Sequence, residues 1–242
     1  MKPIHSPEII FENDLLVAVN KPAGMLTIPD RHDDQIPSLY QFLQKKYGKI
    51  FIVHRLDKDT SGLIVFAKDE ATHRYLNLLF EQRNVSKFYL GLVLGSLEQA
   101  SGKMVFPIAE HQQVKGMMVI DRRGKPSETD YEVLEDFGIY SLVKFQLQTG
   151  RTHQIRIHAK QIGHPLACDD LYGNGKPVKL SDIKKKFKLS INEDEEKPML
   201  NRVALHSFQL IFTGPEGKNY DLKAELPKEM RALVNQLKKN RH

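Results

Sequence analysis

His54-Arg55-Leu56-Asp57-Lys58-Asp59-Thr60-Ser61-Gly62 lies between a short apolar segment, Phe51-Ile52-Val53, and an apolar run of strand length, Leu63-Ile64-Val65-Phe66-Ala67, that stops at Lys68. The run reads as a strand by length and composition. A polar loop pinned between two buried segments is where a rigid scaffold presents functional groups. The same residue types also make ordinary turns, with Asp57 or Asp59 capping backbone amides, so composition leaves a plain turn and a functional loop both open.

Upstream, Ile9-Ile10-Phe11 and Leu15-Leu16-Val17-Ala18-Val19 flank Glu12-Asn13-Asp14 and read as a β-hairpin. Asn20-Lys21-Pro22-Ala23-Gly24 then breaks the strand, and Lys21 reads as a basic ligand contact or as a solvated loop lysine. Residues 30–37 form a polar loop that includes Arg31, His32 and Asp34. Ser38 can cap a short helix carrying Leu39, Phe42 and Leu43 and ending near Gly48. Downstream, Leu76, Leu79 and Phe80 mark an amphipathic helix within residues 68–83. Residues 86–95 alternate as a strand, which puts Tyr89 on one face with Gly91, a residue whose missing side chain leaves room for an approaching group.

Further strands are expected at 129–133 and 141–148, leading into a second motif, Thr149-Gly150-Arg151-Thr152-His153-Gln154-Ile155-Arg156-Ile157-His158. This string reads as a strand end, a glycine and then a helix to Ile162, with Ile155, Ala159 and Ile162 on a buried stripe and His153, Arg156 and Lys160 on an adjacent face. Its arginines suit an ordinary solvated helix start, or a phosphate site at a helix N-terminus. Gly163-His164-Pro165-Leu166-Ala167-Cys168-Asp169-Asp170-Leu171-Tyr172-Gly173 follows, and then a charged stretch at about 176–200 containing Lys184-Lys185-Lys186 and Glu193-Asp194-Glu195-Glu196. Strands near 203–212 and 220–224 and an amphipathic helix from Pro227 (Met230, Leu233, Val234, Leu237) with a basic tail at Lys238, Lys239 and Arg241 complete the chain.

Composition narrows the setting. A hydrophobic fraction of 40% and a charged fraction of 27% are those of a folded protein, not a disordered one. Lys and Arg total 36 against 30 Asp and Glu, a net charge of +6 that suits a polyanionic partner and also plain solubility. The single cysteine excludes an intramolecular disulfide and a Cys-rich metal site. No apolar run approaches membrane-spanning length and no signal sequence is visible, so a cytoplasmic protein is expected.

The three motifs together are specific. His-Arg-Leu-Asp-x-x-Thr-Ser-Gly resembles the catalytic loop of the RluA-type pseudouridine synthases, Gly-Arg-Thr-His-Gln-Ile-Arg-x-His their second motif, and Gly-His-Pro-x-x-x-Asp-x-x-Tyr-Gly the loop that follows it. In that loop Cys168 stands where a glycine is usual, which strains the turn or marks a different backbone. The Asn-Lys-Pro-x-Gly break, the Lys-x-Tyr at Lys87-Phe88-Tyr89 and the Leu-His at Leu205-His206 are similar to further family features. The resemblance spans about residues 9–235 and implies a single α+β catalytic domain: a mixed, mostly antiparallel sheet flanked by helices around an RNA-binding cleft, with no leading RNA-binding module.

That resemblance implies Asp57 as nucleophile, Tyr89 against the target base and Arg156 as partner of the aspartate. It further implies substrate contacts from His54, Arg55, Thr60, Lys21, Arg151, His153 and Gln154. A carboxylate kept ionised in a site closed around a base needs a compensating cation, and arginine stays charged when buried. Uridine in folded RNA must be flipped out to be reached, with Arg55 the candidate to hold the vacated space. Because the reaction involves no net redox change or energy input, no cofactor and no metal are expected. The partner is RNA, ribosomal or transfer, with no membrane contact, and the protein is expected to be a monomer. A non-catalytic RNA-binding protein would share the basic charge but has no use for a matched Asp57 and Arg156. A metal hydrolase is poorly served by His153 and His158, whose i, i+5 spacing splays them around a helix.

Overall fold

The computed structural model describes residues 6–30, 33, 35–189 and 195–240. Arg31, His32, Asp34, residues 190–194 of the charged stretch and Arg241 lie outside the described residues. In chain order the elements are β1 (Glu8–Glu12), β2 (Leu16–Lys21), α1 (Leu39–Tyr47), β3 (Phe51–Ile52), β4 (Ser61–Ala67), α2 (Glu70–Glu81), β5 (Ser86–Leu94), β6 (Ser101–Val105), β7 (Ile108–Glu110) and β8 (Met118–Ile120). They continue with β9 (Glu128–Asp136), β10 (Tyr140–Leu147), α3 (Gln154–Gln161), β11 (Leu205–Thr213), β12 (Asn219–Lys223) and α4 (Lys228–Lys239). The fold is α+β, with mixed but mostly antiparallel strands. It divides into two compact units, Met1–Tyr89 with His206–Glu225, and Leu90–Leu205 with Leu226–His242.

In the first unit the strands run β1-β2-β4-β11, with β3 also on β4 and β12 on β11. Every residue of β4 is buried, which is why its sequence is an unbroken apolar run and not an alternating one. Strand β2 pairs with it antiparallel and β11 parallel, the latter at His206 opposite Ser61 and Ser207 opposite Gly62. Helix α1 begins at a capping box in which the Ser38 hydroxyl accepts from the Gln41 amide while the Gln41 side chain reaches back, and ends at Gly48 with φ 72°. Helix α2 starts at Asp69, whose carboxylate accepts from the Thr72 amide, and buries Leu76 in a core with Leu16, Leu63, Val65 and Phe212.

Gly62 is where these strands meet most closely. Its φ is +113°, and a Cβ there would lie 2.2 Å from the Ser207 carbonyl oxygen. Backbone, unlike a flexible side chain, cannot step aside. Gly62→Ala is therefore expected to cost about 3 kcal/mol or more, the scale of combined strain and overpacking. That corresponds to a fall in Tm of roughly 6–12 °C. A melting curve matching wild type would show that β4 and β11 do not make this approach.

In the second unit the order is β5-β10-β9-β6, and β7 and β8 form a separate hairpin. Helix α4 buries Met230, Leu233, Val234 and Leu237, at helical spacing, among Leu92, Phe137, Leu142 and Ala204. Each such side chain contributes about 1.5–3 kcal/mol. The charged stretch is tied into this core. Val178, Ile183 and Leu200 are buried in it, and Glu196 holds the Ser181 hydroxyl at 2.6 Å.

Cys168 takes the strained alternative, with φ 59° and a buried thiol that donates to the Leu200 carbonyl at 3.4 Å. Burial also pushes the thiol pKa up. The left-handed conformation costs a residue with a Cβ about 1–2 kcal/mol. Cys168→Gly should therefore melt no lower than about 2 °C below wild type, whereas Cys168→Val, β-branched at positive φ, should lose about 2 kcal/mol or roughly 4–8 °C. Equal melting of the two variants would remove the backbone as the cause.

Candidate active site

In the first unit, the peptides on either side of Asp57 are clamped. The Thr27 hydroxyl accepts from the Leu56 amide at 3.1 Å and donates to the Leu56 carbonyl at 2.9 Å. On the other side, the Lys58 carbonyl accepts from the Lys21 ammonium and the Gly24 amide, both at 2.9 Å. Asp57 sits half-buried between these anchors, and its own carbonyl accepts from the Thr60 amide at 3.2 Å to close the turn. Farther along, Ser61 bonds His206 Nδ1 at 2.9 Å, and His206 Nε2 bonds the Ala224 carbonyl. The residues that look like turn formers thus fix the loop from several sides, and Asp57 is the side chain they present.

Tyr89, at the end of β5 that belongs to the first unit, is buried. Burial raises its phenol pKa, a bond with Ser207 works the other way, and the Asp57 charge raises it again. Asp57 and Tyr89 therefore share one neighbourhood. The phenol stays protonated through the neutral range, so it offers a ring face and a hydroxyl donor, not a base.

In the second unit, α3 is buried from Gln154 through Ala159, not along one stripe, and its last residues, Lys160 and Gln161, are exposed. Arg156 is 5% exposed and holds Asp169 as a two-point fork, Nε to Oδ2 and Nη2 to Oδ1, each at 2.7 Å. Nη2 also lies 3.4 Å from Asp170, and the guanidinium sits 5.1 Å from the Tyr172 ring centroid. Asp169 is completed by the Leu171 and Tyr172 amides. Charge-assisted bidentate pairing of this kind fixes the plane of the arginine. The edge carrying Nη1 consequently faces away from Asp169.

His153 caps α3 in a left-handed conformation, φ 55°. The Met118 amide donates to the Tyr172 hydroxyl at 2.8 Å, and His153 Nδ1 lies 3.0 Å from the same hydroxyl. His158 uses both ring nitrogens inside the protein, on Thr129 and on the Phe106 carbonyl.

Residues 15–161, more than half of the chain, match the family described as RNA pseudouridylate synthase. The chain belongs to this family. It is 37% identical over 241 residues to a ribosomal large subunit pseudouridine synthase D of Nitrosomonas europaea, covering 97% of this chain and 66% of that one. A dual-specificity RNA pseudouridine synthase RluA of Vibrio vulnificus is 36% identical over 215 residues, covering 86% of this chain and 78% of the relative. The chain thus spans about two thirds to three quarters of the length of these relatives. Among solved structures, Human RNA Pseudouridylate Synthase Domain Containing 4 matches with a TM-score of 0.72 and 25% identity over 96% of this chain and 93% of the other.

Within this pseudouridylate synthase chain the expected substrate contacts separate into two groups. Arg55 is exposed, and Arg151 and His153 are partly exposed, so all three remain available to a ligand. Lys21 is fully buried and its ammonium donates to the carbonyls of Pro22, Met25 and Lys58, so neither a solvated lysine nor an RNA contact describes it. It is the cation inside the loop's frame. His54 accepts from the Val65 amide through Nε2 and stacks on Phe80 at 4.7 Å. Burial, aided by the Lys87 charge, pushes its pKa down to about 3, so it is a neutral support at physiological pH. Thr60 is buried, and the Gln154 amide is spent on Thr149, Arg151, Glu128 and Thr129. A further correction concerns Gly91: a Cβ there would meet Leu166 and Phe145 at 2.8 and 2.9 Å, so its missing side chain admits core packing and leaves no room for a base. Thr27 and Asp169 were not singled out from the sequence. Asp169 lay in a motif that could have flagged it, whereas Thr27 carried no signal.

Proposed function

We propose that the protein is an RNA pseudouridine synthase that flips a uridine out of structured RNA and isomerises it, with Asp57 as the reacting carboxylate. The presentation of Asp57 carries this reading: both neighbouring peptides are clamped, and its charge reaches the buried Tyr89. In the reaction the bond between ribose C1′ and uracil N1 breaks, the base turns, and a bond from C1′ to C5 forms. N1 gains a proton and C5 loses one, so no oxidant or reductant enters. Asp57 either attacks C1′ or takes a proton from the ribose, and both routes require the same ionised carboxylate at the same place. Tyr89 stacks on the extruded base, and Arg156 is the cation assigned to the reacting carboxylate. A protein that only binds RNA gains nothing from a carboxylate held so firmly.

The two compact units act in this proposal as one catalytic domain, which is supported by a family match running through residues of both. Ribosomal or transfer RNA is the substrate class, in keeping with the names of the relatives, and the protein works as a cytoplasmic monomer. Among the described residues no helix is long and apolar enough to cross a membrane. The test is release of tritium from RNA labelled at C5 of uridine, run with a chelator present. Stoichiometric release matched by pseudouridine in the digested RNA is expected. Intact label after prolonged incubation with both ribosomal and transfer RNA would overturn the assignment.

A further inference from the structure

The geometry points to Lys87 as a second substrate contact, a seat for a backbone phosphate of the RNA one nucleotide's reach from the reacting base. This inference rests on the pseudouridine synthase reading and adds a residue to it. Lys87 is 9% exposed, and its ammonium lies 5.9 Å from the Phe80 ring centroid. Among the described residues it has no carboxylate within ion-pair distance, although lysines this deep are almost never found without a partner. Its position is specific. Lys87 and Tyr89 are i and i+2 on β5, so they share a face about 6.6 Å apart along the strand.

Each of the two side chains faces its own part of the Asp57 loop. The Lys87 charge acts on the His54 ring, and the Asp57 charge acts on Tyr89. Strand β5 therefore runs beside the loop with its cation at the His54 end and its aromatic ring at the Asp57 end. His54 is neutral there and Arg83 adds another positive charge, so among the described residues no carboxylate compensates Lys87. Phosphate is the anion that arrives with the substrate. Its approach supplies the missing counter-charge while the base goes to Tyr89.

An uncompensated charge of this kind stabilises the complex at the expense of the free protein, and the two effects can be measured separately. The probe is an unmodified ribosomal RNA transcript, bound by Asp57→Asn protein so that turnover does not interfere. Adding Lys87→Met should leave Tm unchanged or raised, because an apolar side chain of similar length suits the buried stem better. The same change should weaken affinity roughly three- to tenfold and reduce the slope of log affinity against log salt by about 0.7–0.9, one phosphate contact. Lys87→Arg should restore the slope. In the active protein, Lys87→Met should raise the Michaelis constant more than it lowers the single-turnover rate at saturating RNA.

An unchanged salt slope overturns the inference whatever happens to affinity, and leaves Lys87 as a lysine whose stem covers Phe80. A fall in Tm with wild-type RNA affinity does the same. Either result, in a protein that still releases tritium, removes the phosphate seat and keeps the function. Failure of tritium release in the wild type removes the function itself.

Discussion

Asp57→Asn is expected to lower the single-turnover rate by on the order of 10⁵-fold or more, the scale on which enzymes lose activity when a nucleophile is removed. The change is nearly isosteric, and the bonds that clamp the two neighbouring peptides are made by other residues. Thr27 holds Leu56, while Lys21 and Gly24 hold Lys58. The fold should therefore melt as wild type does. RNA affinity should stay level or tighten, since a negative charge is taken away from a surface that meets phosphates. The experiment pairs a rapid-quench assay on labelled RNA with a filter-binding titration at fixed salt. Turnover within a hundredfold of wild type would move the chemistry to another group. A loss of binding equal to the loss of rate would make Asp57 a structural residue of the loop.

The elements most legible in the sequence are those whose cause is local. Ser38 and Gln41 announce α1, the apolar spacing of α2 and α4 announces their buried faces, and the alternation of β5 marks a strand. What stayed hidden depends on partners far away in the chain. Ser61 and His206 are 145 residues apart, and the approach of Gly62 to Ser207 follows from their strands lying side by side. Nothing near residue 206 indicates that β11 and β12 return to the first unit after the second has been built. The same reason explains the errors over Lys21 and Gly91. A lysine beside a proline and a glycine looks solvated until the three carbonyls that surround it are brought together by the fold.

The candidate site shows that contrast more sharply. The string at residues 54–62 offers Asp57 as the candidate reacting group together with neighbours that build its frame, and the residue types do not tell them apart. His54 and Gln154 are polar residues with their polarity spent inward, and Thr60 is buried. Resemblance to a family transfers both kinds together, because a motif match carries every residue of the string. Burial and hydrogen-bond partners separate the two.

Arg156→Lys should lower the single-turnover rate about a hundredfold or more, the scale of losing a preorganised donor at a site of developing charge. The reason is geometric. Asp169 holds the Nε and Nη2 edge at 2.7 Å on both arms, and Tyr172 lies against the guanidinium plane, so the guanidinium is one rigid, oriented group. An ammonium is a point charge on a flexible stem and cannot reproduce a two-point contact. It keeps the charge opposite Asp169, so the stability loss should remain modest, about 1–2 kcal/mol, the scale of hydrogen bonds to a charged group. Arg156→Met is the contrasting variant. It strands the Asp169 carboxylate, which is completely buried, and should cost about 3–5 kcal/mol. Thermal melting and single-turnover kinetics on both variants separate the two duties of the residue. Wild-type rates from a well-folded Arg156→Lys would leave Arg156 a structural partner of Asp169 with no part in the chemistry. A folded lysine variant with a collapsed rate and near-normal RNA binding is the outcome that a part for Arg156 in the chemistry requires.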